Sequence, residues 1–196
     1  MTRTFQRFAG TCSILVGIGG LAYGVLFGFI VYGAERPVAL VWLALGLLGA
    51  LLGTPVAVAL YMKLRDRDWG FALLALLLGI FGSVGQLQNS ALTLAKEVGE
   101  LRGESSDPAG AFRFGLLGLS LLIVGWLIVR SGAFPKRLGY LAEVGGVLLV
   151  LTFLGRTTGL IDTANELSVL PPVLYGVVIH PVLYVWLGRV LRKDAG

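Results

Sequence analysis

Long uninterrupted apolar stretches alternate with short polar breaks along the chain. Charges mark the breaks. A charge at the centre of a bilayer costs about 3 kcal/mol, whereas a spanning helix needs roughly 20 apolar residues. Six stretches meet that length, at about 10–33, 38–62, 70–95, 112–129, 138–155 and 172–188. The fourth is the shortest between charges, and Arg113 and Arg130 at its ends can snorkel toward the headgroups. Hydrocarbon cannot satisfy backbone polar groups, so a spanning segment is either a helix or part of a closed barrel. Barrel strands alternate apolar and polar residues. These stretches do not alternate, so the pattern predicts an all-α, polytopic membrane protein with six transmembrane helices forming a single transmembrane domain over 1–196.

Composition agrees with the pattern. The chain is 56% hydrophobic and 14% charged, against about 25% charged for a water-soluble domain. Its net charge of +5 does not point to nucleic acid, because the basic residues are dealt out between apolar runs instead of gathering on one face. Arg3 and Arg7 before an apolar run resemble a signal peptide, but the uncharged stretch 8–34 is longer than the usual 7 to 15 residues, so it reads as the first span.

The distribution of cations sets the expected orientation, since short cytoplasmic loops are enriched in Lys and Arg. One side holds Arg3, Arg7, Lys63, Arg65, Arg67, Arg130, Lys136, Arg137, Arg189, Arg192 and Lys193. The other holds Arg36, Lys96, Arg102, Arg113 and Arg156. Eleven against five predicts both termini in the cytoplasm. Trp69, Trp126 and Trp186 fall near the predicted cytoplasmic ends and Trp42 near an outer one, where indoles settle at the headgroups. Two outer loops, 96–111 and 156–171, are the longest; the second carries enough Leu, Ile and Val to lie on the membrane surface.

Small residues at every fourth position let membrane helices approach closely. Gly20, Gly24 and Gly28 form such a ridge on the first helix, and Gly49 with Gly53 a shorter one on the second. The ridges predict contact surfaces for other helices. Pro55 and Pro181 are expected to kink the second and sixth helices.

Ionisable groups inside a membrane helix are functional candidates by default. Glu143 and His180 lie roughly 9 Å and 13 Å from the same membrane face, counted at 1.5 Å per residue. If the fifth and sixth helices are antiparallel neighbours, the two face one another and form a proton-relay or ligand site; a structural hydrogen bond is the plainer alternative. A polar cluster on the third helix, Ser83, Gln86, Asn89, Ser90 and Thr93, lies largely on one face and with the kinked sixth helix could line a shallow outward cavity. Gln86 joins Glu143 and His180 as a ligand or relay candidate. Interhelical hydrogen bonding is the simpler account of the cluster.

Enzyme classes are weighed by what is missing. No lysine within a span can anchor a retinal Schiff base, and one histidine cannot build a multi-histidine iron site. Phe81 and Val84 stand where a Gly-x-Ser-Gly motif around Ser83 needs glycines, which argues against an intramembrane serine protease. The single cysteine, Cys12, allows no intrachain disulfide and no cysteine metal cluster. No catalytic residues, metal site or cofactor are expected.

The stretch Gly125-Trp126-Leu127-Ile128-Val129-Arg130-Ser131-Gly132-Ala133-Phe134-Pro135-Lys136-Arg137-Leu138-Gly139 resembles the Arg-Ser-Gly-x-x-Pro-Arg-x-Leu-Gly hairpin of a prokaryotic membrane family of about six helices, catalogued as a domain of unknown function. Trp186-Leu187-Gly188 in the last helix is similar in style. The resemblance implies a prokaryotic plasma membrane and a tight cytoplasmic turn, but no activity. It also implies an acidic residue near the place of His180, where this chain departs from the pattern. The leading expectation is a non-catalytic structural or accessory bundle that associates with lipid, other transmembrane helices or further copies of itself through its glycine ridges. The alternatives are a small-solute or proton-coupled transporter using Glu143 and His180, and then an intramembrane enzyme. A polar cavity converging on those two residues favours transport; a filled bundle with exposed glycine ridges favours association.

Overall fold

A computed structural model describes residues 1–31, 36–97, 108–158 and 166–195. The described residues form helices with no strand: α1 (Arg3–Val31), α2 (Arg36–Leu64), α3 (Trp69–Glu97), α4 (Pro108–Ser131), α5 (Lys136–Thr157), α6 (Glu166–Leu174) and α7 (His180–Lys193). A π-helical turn, Tyr175–Ile179, joins α6 to α7, so the two make one long helix. Six segments are long and apolar enough to cross a membrane, and the last runs Leu170–Lys193 through the π turn. Residues 166–171 are helical and run into the last spanning segment, Leu170–Lys193, whereas 159–165 fall outside the described residues.

The first helix begins at Arg3, about two turns before the expected start, because its opening residues have partners. Thr2 Oγ1 accepts from the Phe5 N–H at 3.3 Å, and Gln6 Nε2 donates to the Leu191 carbonyl at 3.0 Å. Asp68 plays the corresponding role ahead of α3, accepting from the Phe71 N–H at 3.1 Å.

Large apolar side chains cover the outside. Phe81, Ile18 and Leu51 are each more than half exposed, on three different helices. Exposure of that kind on every side suits lipid, because a water-soluble monomer rarely shows apolar patches beyond a few hundred Å². The inside holds small side chains and the shorter aliphatics: Ala9, Cys12, Ser13, Ala59, Ala72 and Ala75 are buried.

Consecutive helices pack against one another around a ring, and α7 closes it against α1. Short links impose this order between α2 and α3 and between α4 and α5. The latter turn is built from local chemistry: Ser131 Oγ accepts from the Ala133 N–H at 3.2 Å, Gly132 adopts φ +69°, and Pro135 precedes the first turn of α5. That φ lies in the left-handed region, which disfavours any residue with a Cβ. Contacts across the ring are few, and the sparsest seam between neighbours is that of α5 with the last helix.

Where neighbours touch tightly, glycines face backbone. A Cβ on Gly125 would stand 2.6 Å from the Gly139 carbonyl oxygen, and one on Gly118 would stand 2.9 Å from that of Gly146. The α4–α5 contact is therefore a backbone-to-backbone zipper of glycines. Hydroxyls add interhelical bonds: Ser13 Oγ donates to the Tyr184 carbonyl and Ser120 Oγ to that of Ala75, each at 2.7 Å.

The two prolines behave differently. Pro55 is contained within a continuous α2. At Pro181 the helix opens instead. The proline has no N–H to offer Val177, and the His180 N–H reaches back five residues to the Tyr175 carbonyl.

Candidate functional site

The ring surrounds a half-open cavity of about 210 Å³. It has contributions from all six membrane helices and occupies the middle of the bundle and the half remote from the termini, since its α1 residues run from Val16 to Phe27. Cavity space exists because the facing residues on α2 are glycines. Nothing stands within 4 Å of where a Cβ would be on Gly49 or Gly53, and both line the cavity.

The walls are mostly apolar, with Phe27, Phe114, Leu117 and Leu121 among them. Polar groups enter at a few places. Ser83 and Gln86 come from α3, Arg113 from α4, Tyr23 from α1, and Tyr175, His180 and Tyr184 from the last helix. Gln86 Nε2 donates to Ser90 Oγ at 3.0 Å, and Ser83 Oγ donates to the Gly79 carbonyl at 2.9 Å. Gly46 makes room for that pair, for a Cβ there would lie 2.8 Å from both Gln86 Nε2 and Ser90 Oγ.

The imidazole of His180 sits between two phenols. Its centroid is 5.5 Å from that of Tyr175 and 4.5 Å from that of Tyr184. The ring fills the notch left by Gly20, where any Cβ would collide with the imidazole itself. His180 Nδ1 is buried and has no hydrogen-bond partner among the described residues. Tyr23 stacks on Trp42, with centroids 4.9 Å apart.

At the end of the cavity remote from the termini two guanidinium groups meet one ring. Arg113 Cζ lies 4.6 Å from the centroid of Phe114 and Arg156 Cζ lies 5.4 Å from it. Arg113 is 5% exposed. Arg113 lies five residues into α4, roughly 7.5 Å along its axis.

The expected pairing of Glu143 with His180 is corrected. The two side chains form no ion pair or hydrogen bond, because they sit on differently directed faces. The Glu143 Cγ packs where Gly125 leaves space on α4, while His180 turns toward Gly20 on α1. Gly145, two positions along α5, is what meets the last helix, next to Ile179 and Tyr175. Similar expected depth did not imply a shared face.

The glycine ridges also have other occupants than expected. Gly20 holds His180, and Gly24 meets the backbone of Gly176, which would lie 2.9 Å from a Cβ. Both are consumed by the chain's own last helix. Gly49 and Gly53 border open space instead of a neighbouring helix. Gly28 is within α1, but its surroundings lie outside the described residues. Gln86 lines the cavity with His180, and of the rest of the α3 cluster only Ser83 does so. Arg113 and Arg156 enter the sequence reading only as boundary charges. The signal that could have raised them is aromatic: Arg113 stands between Phe112 and Phe114.

Residues 8–188 match the family described as Domain of unknown function (DUF4386). The chain belongs to this family. The match takes in all or most of every membrane helix of the DUF4386 chain and all of the cavity-lining residues named above. No curated protein and no solved structure matches it.

Proposed function

We propose that this DUF4386 protein binds a small, largely apolar solute in its central cavity and acts as a small-solute carrier. The observation that carries the reading is the open space beside Gly49 and Gly53, bordered by a short set of polar groups. Cavities of this kind, apolar with a few directed polar side chains, are what small ligands occupy. An engineered apolar cavity of about 150 Å³ takes up benzene, and this one is larger. The π turn supports movement as well as binding, because it packs against both α1 and α5, the latter across the sparsest seam of the ring, and π turns recur at functional sites. The accessory reading loses its main support, since Gly20 and Gly24 are already covered from within.

The reading is tested with purified protein in lipid nanodiscs, using fluorine NMR of 4-fluorobenzyl alcohol. Saturable binding above lipid partitioning is expected, and Gly49→Leu should abolish it while leaving thermal unfolding close to that of the parent. Binding that never saturates, or that survives Gly49→Leu, refutes the cavity as a ligand site.

The carrier would reside in a prokaryotic plasma membrane with both termini in the cytoplasm, surrounded by lipid. The excess of Lys and Arg on the terminal side supports that orientation. Cys12 is buried, so Lys136→Cys gives a nearly silent background for labelling. A membrane-impermeant maleimide should fail to reach it in intact cells; ready labelling would invert the topology.

A further inference from the structure

We propose that α1 and α7, at their ends nearest the termini, form a site for an anionic phospholipid, its phosphate held by Arg7, Arg192 and Lys193 and an acyl chain lying along α1. These cations line one open hollow together with Phe8 and Thr11, and none of the five borders the central cavity. The hollow is thus independent of the cavity and of what the cavity binds.

Glycines set its geometry. A Cβ on Gly10 would stand 2.9 Å from the Gly188 carbonyl oxygen and 2.7 Å from Arg192 Cγ, so the two helices cross closely there. Farther along, Gly17 meets Val185 and Gly24 meets Gly176, which makes the pair antiparallel. Arg7, before Gly10, and Arg192, after Gly188, therefore fall about one helical turn to the same side of the crossing. Arg7 is near the start of the span Arg3–Phe27 and Arg192 near the end of Leu170–Lys193, the depth of lipid headgroups.

Charge selects the head of the ligand. No carboxylate pairs with Arg7, Arg192 or Lys193 among the described residues. Acids on this side are engaged elsewhere: Asp194 with Lys63 at 3.0 Å, Asp66 beside Arg65 at 3.7 Å, and Asp68 with the Phe71 N–H. Like charges gathered in one hollow repel, and a phosphate among them both relieves the repulsion and accepts charge-assisted hydrogen bonds. Basic pockets between membrane helices hold anionic headgroups in this way.

The apolar surface selects a lipid over free phosphate. Phe8, Leu15, Ile18 and Val25 are exposed, and with Thr11 and Ala22 they recur every three or four residues along one stripe of α1. That stripe starts in the hollow and runs into the bilayer. A phospholipid whose head is bound by the cations can lay a chain along it.

The test offers purified protein in neutral detergent both phosphatidylglycerol and phosphatidylcholine with identical acyl chains, and counts bound lipid by native mass spectrometry. Each surface cation adds about fivefold to anionic lipid affinity, so a preference for phosphatidylglycerol of at least about tenfold is expected. The double variant Arg7→Gln/Lys193→Gln should abolish it. The matched double variant Arg65→Gln/Arg137→Gln removes two exposed cations from the same side of the membrane and should leave the preference intact. Thermal unfolding of both variants should match the parent, because all four side chains are exposed. A parent preference below about tenfold, an equal loss in the two double variants, or displacement of the lipid by millimolar inorganic phosphate would each overturn the site.

Discussion

Two glycine-to-alanine substitutions separate the packed part of the bundle from the open part, and their signs should be opposite. At Gly125 a methyl group would stand 2.6 Å from the Gly139 carbonyl oxygen, 2.7 Å from Glu143 Cγ and 2.9 Å from Glu143 N. The first distance is roughly 0.9 Å short of the ~3.5 Å at which such atoms rest. Two of the three opposing atoms are backbone, so the helices themselves must part. Overpacking of this kind costs about 1–3 kcal/mol. Replacing a helical glycine by alanine returns up to about 1 kcal/mol, leaving Gly125→Ala destabilised by up to about 2 kcal/mol. At Gly49 no atom stands within 4 Å. There only the backbone benefit remains, about 0.4–1 kcal/mol in favour of the folded state. The measurement is reversible unfolding in mixed micelles titrated with SDS, followed by far-ultraviolet circular dichroism. A Gly125→Ala protein more stable than the parent, or a Gly49→Ala protein that loses stability, would refute the division into zipper and cavity.

Other substitutions probe single contacts. Gly132→Ala places a Cβ in the left-handed region at φ +69° and should lower stability by about 1–2 kcal/mol in the same titration. Ser13→Ala removes the 2.7 Å bond to the Tyr184 carbonyl; interhelical bonds in membranes average about 0.6 kcal/mol, so a loss above ~2 kcal/mol would mean a larger role. Lys63→Ala breaks the 3.0 Å bridge to Asp194, whose partners are 26% and 39% exposed, and should change the midpoint by less than about 1 kcal/mol. Gly20→Ala collides with the His180 imidazole and should displace it, which a shift in the histidine proton resonances would report; an unmoved imidazole contradicts the assigned packing.

What was legible in the chain itself is the part dictated by solvent. Lipid demands continuous apolar runs closed on their own hydrogen bonds, and six such runs with cations between them leave little choice but six helices. The turn after α4 was legible too, because Gly132 and Pro135 impose local backbone angles that need no partner. The direction in which each face points was not. Glu143 and His180 matched in depth, but rotation about a helix axis is set by its neighbours, and the glycine zipper of α4 with α5 turns Glu143 toward Gly125. The π turn before His180 adds one residue to a helical turn and shifts everything after it, an offset that a regular period cannot anticipate. Gly20, Gly24, Gly49 and Gly53 read alike in sequence because a missing side chain permits close approach and open space equally. Only the packing of the ring decides which of the two a given glycine provides, and that decision is what makes the cavity.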